Sequence, residues 1–292
     1  MENPEFLSVN QPPLDQQFTK NRFSGKTVIV TGGASGIGFA AVERFVNDGA
    51  NVTIFDKNAE SGKLAVKNLK KCYSVNVGLA CVDVSDKNDC IAQVQKVAET
   101  AGGKIDALVN SAVYFGSKVG LSSEKHDWMT TFSVNVVGTS NMVQAVYPFM
   151  CEGGSVVNIS SISAYRAQVD RWAYAASKGA VKTVTQNMAL DLAKKSIRVN
   201  SVSPGWTWTP EMAKASPDGT LEPMMEGVKN FQMIPRTAHT SEIASAVVFL
   251  CSGDASFING TDLRVDGGYT AMGPERFGEE TMIAGHNLSP DK

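Results

Sequence analysis

Lys26–Thr31 (KTVIVT) is an unbroken apolar and β-branched run, and it opens directly onto a glycine cluster, Thr31-Gly32-Gly33-Ala34-Ser35-Gly36-Ile37-Gly38. A strand that is apolar on both sides has to be covered on both sides, which points to the middle of a parallel sheet. The same rhythm recurs along the chain. Strand-length runs fall at Asn51–Asp56, Gly78–Val82, Ile105–Asn110, Ser155–Ser160, Ile197–Val202 and Asp262–Val265. Helix-length patterns separate them, including Ser35–Asp48, Asp86–Thr100, Glu124–Met150, Trp172–Lys194 and Ser241–Leu250. Alternation of this kind requires right-handed crossovers, with helices packed on both faces of one sheet.

The expected fold class is therefore α/β: a single, doubly wound, Rossmann-type parallel sheet of about seven strands. No composition shift marks a second large domain. We divide the chain into an N-terminal arm over 1–22, a catalytic domain over 23–269 and a C-terminal tail over 270–292. The arm is polar and carries Pro4, Pro12 and Pro13, without the basic start and apolar core of a secretory signal. The stretch 206–236 breaks the rhythm and holds Pro210, Pro217, Pro223 and Pro235. A long insertion in a compact domain is expected to act as a lid over a substrate.

Bulk properties narrow the function. A net charge of −2 offers no general attraction for nucleic acid or an anionic membrane. No stretch approaches the ~20 apolar residues of a membrane span. Cys72, Cys81, Cys90, Cys151 and Cys251 are odd in number and scattered, as in a reduced cytoplasmic protein. His126, His239 and His286 lack metal-ligand spacing, so no metal is expected.

The glycine cluster has a chemical reading. Gly32, Gly36 and Gly38 allow a sharp turn and close approach to a pyrophosphate, and the following helix aims free N–H groups at it. Asp56, 18 residues beyond Gly38, ends the second strand. A carboxylate there accepts bonds from an adenine ribose and repels a 2′-phosphate, which favours NAD over NADP. Lys57 beside it works in the opposite sense.

Tyr174 and Lys178 lie four residues apart, on one face of a helix. A free tyrosine titrates near pH 10, and a neighbouring ammonium favours the phenolate that a general base requires. The pair alone is common by chance.

Taken together, these motifs resemble the short-chain dehydrogenase/reductase family, in its branch with TGxxxGxG and YxxxK motifs, over about Phe23–Tyr269. The matching segments are Thr31–Gly38, Asp83-Val84, Asn135 within Ser133–Val136, Asn158–Ser161, Tyr174 with Lys178, Pro204–Thr209 and Val265–Tyr269. Ser161 lies thirteen residues before Tyr174, the family spacing. The resemblance implies that Tyr174 is the general acid/base, that Lys178 lowers its pKa and binds the nicotinamide ribose, and that Ser161 holds the substrate oxygen. Asn135 would fix a water that links Lys178 to solvent. Cofactor contacts are implied at Gly32, Ser35, Gly36, Ile37, Gly38, Asp56, Asp83, Val84, Asn110, Ala112, Pro204, Gly205, Thr207 and Thr209, besides Tyr174 and Lys178. Ser111 and Val113 depart from the family's Asn-Asn-Ala-Gly, and Thr207 stands where a branched aliphatic residue is more usual.

The expected activity is NAD-dependent hydride transfer between a secondary alcohol and a ketone. Trp206, Trp208, Met212, Met224, Met225 and Phe231, with Tyr114, Phe115 and Tyr165 after strand ends, suggest an apolar or cyclic substrate, terpenoid- or steroid-like. Arg166 and Arg171 leave a polar or anionic substrate open. Two alternatives stand: an NADPH-dependent reductase of 3-oxoacyl thioesters, sugars or polyols, and a non-catalytic NAD-binding protein. The resemblance further implies a homotetramer or homodimer, with no nucleic-acid or membrane partner.

Overall fold

The computed structural model describes residues 21–73 and 76–274. The arm over 1–20 and the tail past residue 274 lie outside the described residues. The first unit runs β1 (Thr27–Thr31), α1 (Gly36–Asn47), β2 (Asn51–Asp56), α2 (Ala59–Cys72), β3 (Val77–Cys81) and α3 (Lys87–Thr100). The chain continues through β4 (Ile105–Asn110), α4 (Lys125–Phe132), α5 (Gly138–Val146), β5 (Met150–Ile159) and α6 (Trp172–Leu192). It closes with β6 (Arg198–Pro204), α7 (Pro210–Ala215), α8 (Glu222–Val228), α9 (Thr240–Cys251) and β7 (Asp262–Val265). All seven strands are parallel, in the order β3-β2-β1-β4-β5-β6-β7.

Side-chain alternation divides the core into two layers. Val28 and Val30 of β1, with Ala107 and Val109 of β4, face α1 and α9, where Phe45, Val247 and Leu250 are buried. Ile29 and Leu108, one residue out of phase, face α3 and α5 with Val94, Met142 and Val146. Both faces are apolar because both are covered, hence the continuous apolar runs. Phe23 meets Phe45 edge to face at 4.9 Å and holds the segment leading into β1 on the first layer.

The expected helix over Glu124–Met150 is not one helix. It is α4, a single π turn at Ser133–Val137, then α5 and a 3₁₀ turn at Tyr147–Phe149 carrying Pro148. Met150 already belongs to β5, which starts five residues earlier than Ser155. The pairing of β4 with β5 jumps from Ile105–Met150 to Ala107–Ser155, and Gly153, inside β5 between those pairs, has φ +78°. A bulge with glycine in left-handed geometry breaks the strand pattern that a sequence reading relies on. The insertion over 206–236 contains the short helices α7 and α8.

The order in which strands are added reverses between β1 and β4: β2 and β3 follow outward on one side, β5, β6 and β7 on the other. In open parallel sheets this reversal leaves a crevice at the carboxyl ends of the strands.

Candidate active site

The turn after β1 is held from two sides. Thr31 Oγ1 accepts from Ser111 N and Ala112 N, both at 3.1 Å, which ties the end of β4 to the end of β1. The Ser111 and Val113 departures therefore sit in a turn whose backbone is anchored by Thr31. Gly32 and Gly36 have φ of +63° and +56°. A Cβ on Gly38 would lie 2.2 Å from Gly32 O, so only glycine lets the first turn of α1 pack against the loop. The first turn of α1 has no acidic residue, and Ser35 at its N-cap makes no side-chain capping bond. The positive end of the helix dipole is thus left for an anion.

Asp56, at the tip of β2, accepts from Ala34 N at 3.2 Å and from Asn58 N at 2.9 Å. Each carboxylate oxygen keeps further lone pairs toward the crevice. Asp83 accepts from the Ser85 hydroxyl and amide at 2.7 and 2.9 Å, bonds that hold its carboxyl below the ordinary carboxylate range. Val84 is clamped by α5: a Cβ on Gly138 would fall 2.6 Å from it, and Asn141 donates to its carbonyl.

A single cavity of about 810 Å³ joins these elements to the proposed chemistry. Its nucleotide end is walled by Gly32, Ser35, Gly36, Ile37, Asp56 and Lys57, with Asp83, Val84 and Ala112 alongside. Its other end is walled by Ser161, Tyr174 and Lys178, with Pro204, Gly205, Thr207 and Thr209. Gly38 and Asn110 stand behind the wall. Asn110 Nδ2 instead donates to Asn158 Oδ1, and Asn158 Nδ2 to Thr185 Oγ1, a buried line that ties β4, β5 and α6 together. Thr209 caps α7, accepting from Met212 N at 3.2 Å.

Lys178 is 3% exposed and donates to Ile159 O at 2.7 Å. Burial brings its ammonium from the ordinary 10.5 down to about 7. Tyr174 departs from the expectation of a lowered pKa. Burial pushes its hydroxyl up, and the pull downward comes from the Ser161 hydroxyl and the Arg171 charge. Two cations stand near the ring, Lys178 Nζ 5.7 Å and Arg171 Cζ 5.9 Å from its centroid, and it stacks on Phe115 at 5.0 Å. Arg171, which the four-residue pattern does not include, therefore adds a second cation beside the ring.

Asn135 sits in the π turn, 1% exposed. Its Nδ2 donates to Tyr114 O and Ser177 Oγ, and its Oδ1 accepts from Tyr114 N. Ser177 in turn donates to Tyr174 O. Both amide hydrogens are committed, so a water at Asn135 could be held only through an acceptor oxygen.

Of the apolar side chains expected around the substrate, Tyr114, Phe115, Trp206 and Met212 reach the wall. Trp206 also packs on Phe231, which meets Tyr269. Tyr165 points elsewhere, donating to Asp262 on β7, and Arg166 donates to Thr270 O. Ser163 and Gln168, which no motif marks, do line the cavity, as does Arg171. Only their position after the end of β5 could have flagged them.

A dinucleotide-sized crevice, a glycine cradle that tolerates no Cβ at Gly38, an open helix N-terminus and Asp56 together fit a nicotinamide dinucleotide. That combination with a tyrosine–lysine pair defines a nicotinamide-dependent oxidoreductase. Over residues 32–270 the chain matches the family described as enoyl-(acyl carrier protein) reductase. The chain belongs to the short-chain dehydrogenase/reductase family of oxidoreductases.

It is 38% identical to D-threitol dehydrogenase from Mycolicibacterium smegmatis over 254 residues, covering 85% of this chain and 94% of that protein. It is 35% identical to cyclopentanol dehydrogenase from Comamonas testosteroni over 257 residues, covering 86% and 99%. The crystal structure of L-sorbose reductase from Gluconobacter frateurii, complexed with NADPH and L-sorbose, superposes with a TM-score of 0.80 at 29% identity, covering 85% and 97%. Alcohol–ketone oxidoreduction with a nicotinamide cofactor is the chemistry these likenesses share. No helix among the described residues is long and apolar enough to cross a membrane.

Proposed function

We propose that the protein interconverts a secondary alcohol and its ketone with NAD(H). The observation that carries this reading is one cavity with Asp56 and the glycine turn at one end and Ser161, Tyr174 and Lys178 at the other. The bound cofactor supplies the hydride exchange; the protein supplies position and electrostatics. Tyr174 passes a proton to or from the substrate oxygen at its hydroxyl. Ser161 holds that oxygen. Lys178, fixed by Ile159 O, has ammonium protons left for a ribose. Asn135 keeps the loop after β4 and the first turn of α6 in register through Tyr114 and Ser177.

Asp56 favours NAD, because a 2′-phosphate would meet its carboxylate. The NADPH complex of the L-sorbose reductase makes the opposite choice a live alternative, with Lys57 in the same wall as its support. The relatives' substrates, D-threitol, L-sorbose and cyclopentanol, share a secondary carbinol or its ketone and differ in polarity. We assign 206–236 as the lid over this site. We take the protein to work in the cytoplasm as a homodimer or homotetramer.

Tyr174→Phe tests the assignment. Loss of a general acid/base lowers turnover by about 10²–10⁴-fold. NAD+ affinity, measured by calorimetry, stays within about threefold, since the ring and its stacking on Phe115 remain. Turnover at a tenth or more of the parent rate refutes the role.

A further inference from the structure

The loop between β5 and α6 carries, beyond Ser161, polar groups that the proton chemistry does not use. Ser161 Oγ donates to Ser163 Oγ at 3.1 Å, and Ser163 Oγ donates to Gln168 Oε1 at 2.5 Å. Ser163 N donates back to Ser161 Oγ at 3.1 Å. The chain of hydroxyls beside Tyr174 therefore ends on the Gln168 amide. Gln168 Nε2 makes no hydrogen bond among the described residues, and Gln168 lines the cavity. Arg171 lines it too, with its guanidinium over the Tyr174 ring and no ion pair among the described residues.

The loop is fastened so that these groups stay in place. Tyr165 is bonded to Asp262 at 2.8 Å, and Arg166 to Thr270 O at 2.5 Å. Asp170, with φ +58°, lies so close to the chain at Gly120 that a Cβ there would fall 2.1 Å from Asp170 Oδ1. A non-glycine residue in left-handed geometry is held there by its surroundings, at a cost the rest of the fold offsets. Gln168 and Arg171 are thus presented from a tethered strap.

We propose that Gln168 and Arg171 are specificity-determining residues that select a neutral alcohol bearing a second hydroxyl on the carbon next to the reacting one, a polyol or sugar rather than an apolar monohydroxy compound. The proposal rests on the alcohol–ketone reading above. Gln168 Nε2 and the guanidinium are both donors, so the edge of the site asks for an acceptor oxygen beside the carbinol. A site built to bond a substrate hydroxyl discriminates against the analogue that lacks it, because its own donors are then left unpaired. A carboxylate would also satisfy the donors. It would cancel the Arg171 charge that favours the Tyr174 phenolate, whereas a neutral hydroxyl leaves that charge in force.

The test compares three oxidations by the full-length protein with NAD+ and with NADP+: the vicinal cyclohexanediol, cyclohexanol and the corresponding hydroxycyclohexanecarboxylate. The wild type should favour the diol over cyclohexanol by about tenfold or more in kcat/KM. Gln168→Leu should remove about tenfold of that ratio, through a raised KM for the diol. Gln168→Glu keeps an acceptor for Ser163 but has no amide donor, so it should lose the preference as well. NAD+ affinity and the urea midpoint of each variant verify that the fold is intact. Equal or better use of cyclohexanol, best use of the carboxylate, or a ratio that survives Gln168→Leu would overturn the proposal while leaving alcohol oxidation intact. Bound NAD+ with no oxidation of any of the three would sink the alcohol–ketone reading and this assignment with it.

Discussion

Replacing Lys178 by methionine should make the cofactor-free protein more stable near neutrality and flatten its dependence on pH. The side chain is 3% exposed, and burial takes its ammonium from 10.5 to about 7. The unfolded chain keeps the proton up to its ordinary value, whereas the folded protein releases it near 7. Between those two values the unfolded state binds more protons, so stability rises with pH. The destabilisation is therefore full below about pH 7 and gone above about pH 10.5.

At about 1.4 kcal/mol per tenfold change in proton affinity, the whole cost is about 5 kcal/mol, of which about 2 kcal/mol disappears between about pH 7 and about pH 9. Methionine fills a similar volume with no proton to lose. It forfeits the bond to Ile159 O, a loss of about 1 kcal/mol that does not vary with pH. The variant should exceed the wild type by about 3 kcal/mol near pH 7 and by about 1 kcal/mol near pH 9. Urea unfolding followed by tryptophan fluorescence, at one protein concentration across that pH range, measures both midpoints and slopes. Parallel pH profiles for the two proteins would refute the argument, because they would mean that Lys178 keeps its proton in the folded state.

Two further changes probe the nucleotide end. Gly38→Ala puts a methyl 2.2 Å from Gly32 O, so the turn has to shift; we expect a loss of about 1–3 kcal/mol in urea stability and NAD+ affinity weakened by about tenfold or more. Near-parental affinity would show that the cradle does not touch the pyrophosphate. Asp56→Asn retains an acceptor for Ala34 N or Asn58 N but removes the negative charge. The kcat/KM ratio of NADP+ to NAD+ should rise by about tenfold, or about 1.4 kcal/mol of relieved repulsion, and an unchanged ratio would exclude Asp56 as the selector.

Much of this protein can be read along the chain because its central strands are covered on both sides. Burial of Val28, Ile29 and Val30 in two different layers demands apolar residues at consecutive positions, and that pattern needs no partner to be recognised. The glycine turn is legible for a similar reason, since close backbone contact at Gly38 excludes every other residue. Local sequence is silent where a long-range event breaks the local rule. The π turn at Asn135 and the bulge before Ser155 are examples, decided by what α6 and β4 press against them.

The same division runs through the site. Spacing alone puts Tyr174 and Lys178 on one helix face. Only the folded structure strips Lys178 of solvent, brings Arg171 over the Tyr174 ring and turns Tyr165 away to Asp262. Proton affinity depends on desolvation and on charges a few ångströms away, and those charges arrive from distant parts of the chain. Sequence by itself therefore determined the strand–helix order, the glycine turn and the placing of Tyr174 and Lys178 on one helix face. Tertiary structure decided which cations stand by the Tyr174 ring and which amide, Gln168, ends the hydrogen-bond chain that starts at Ser161.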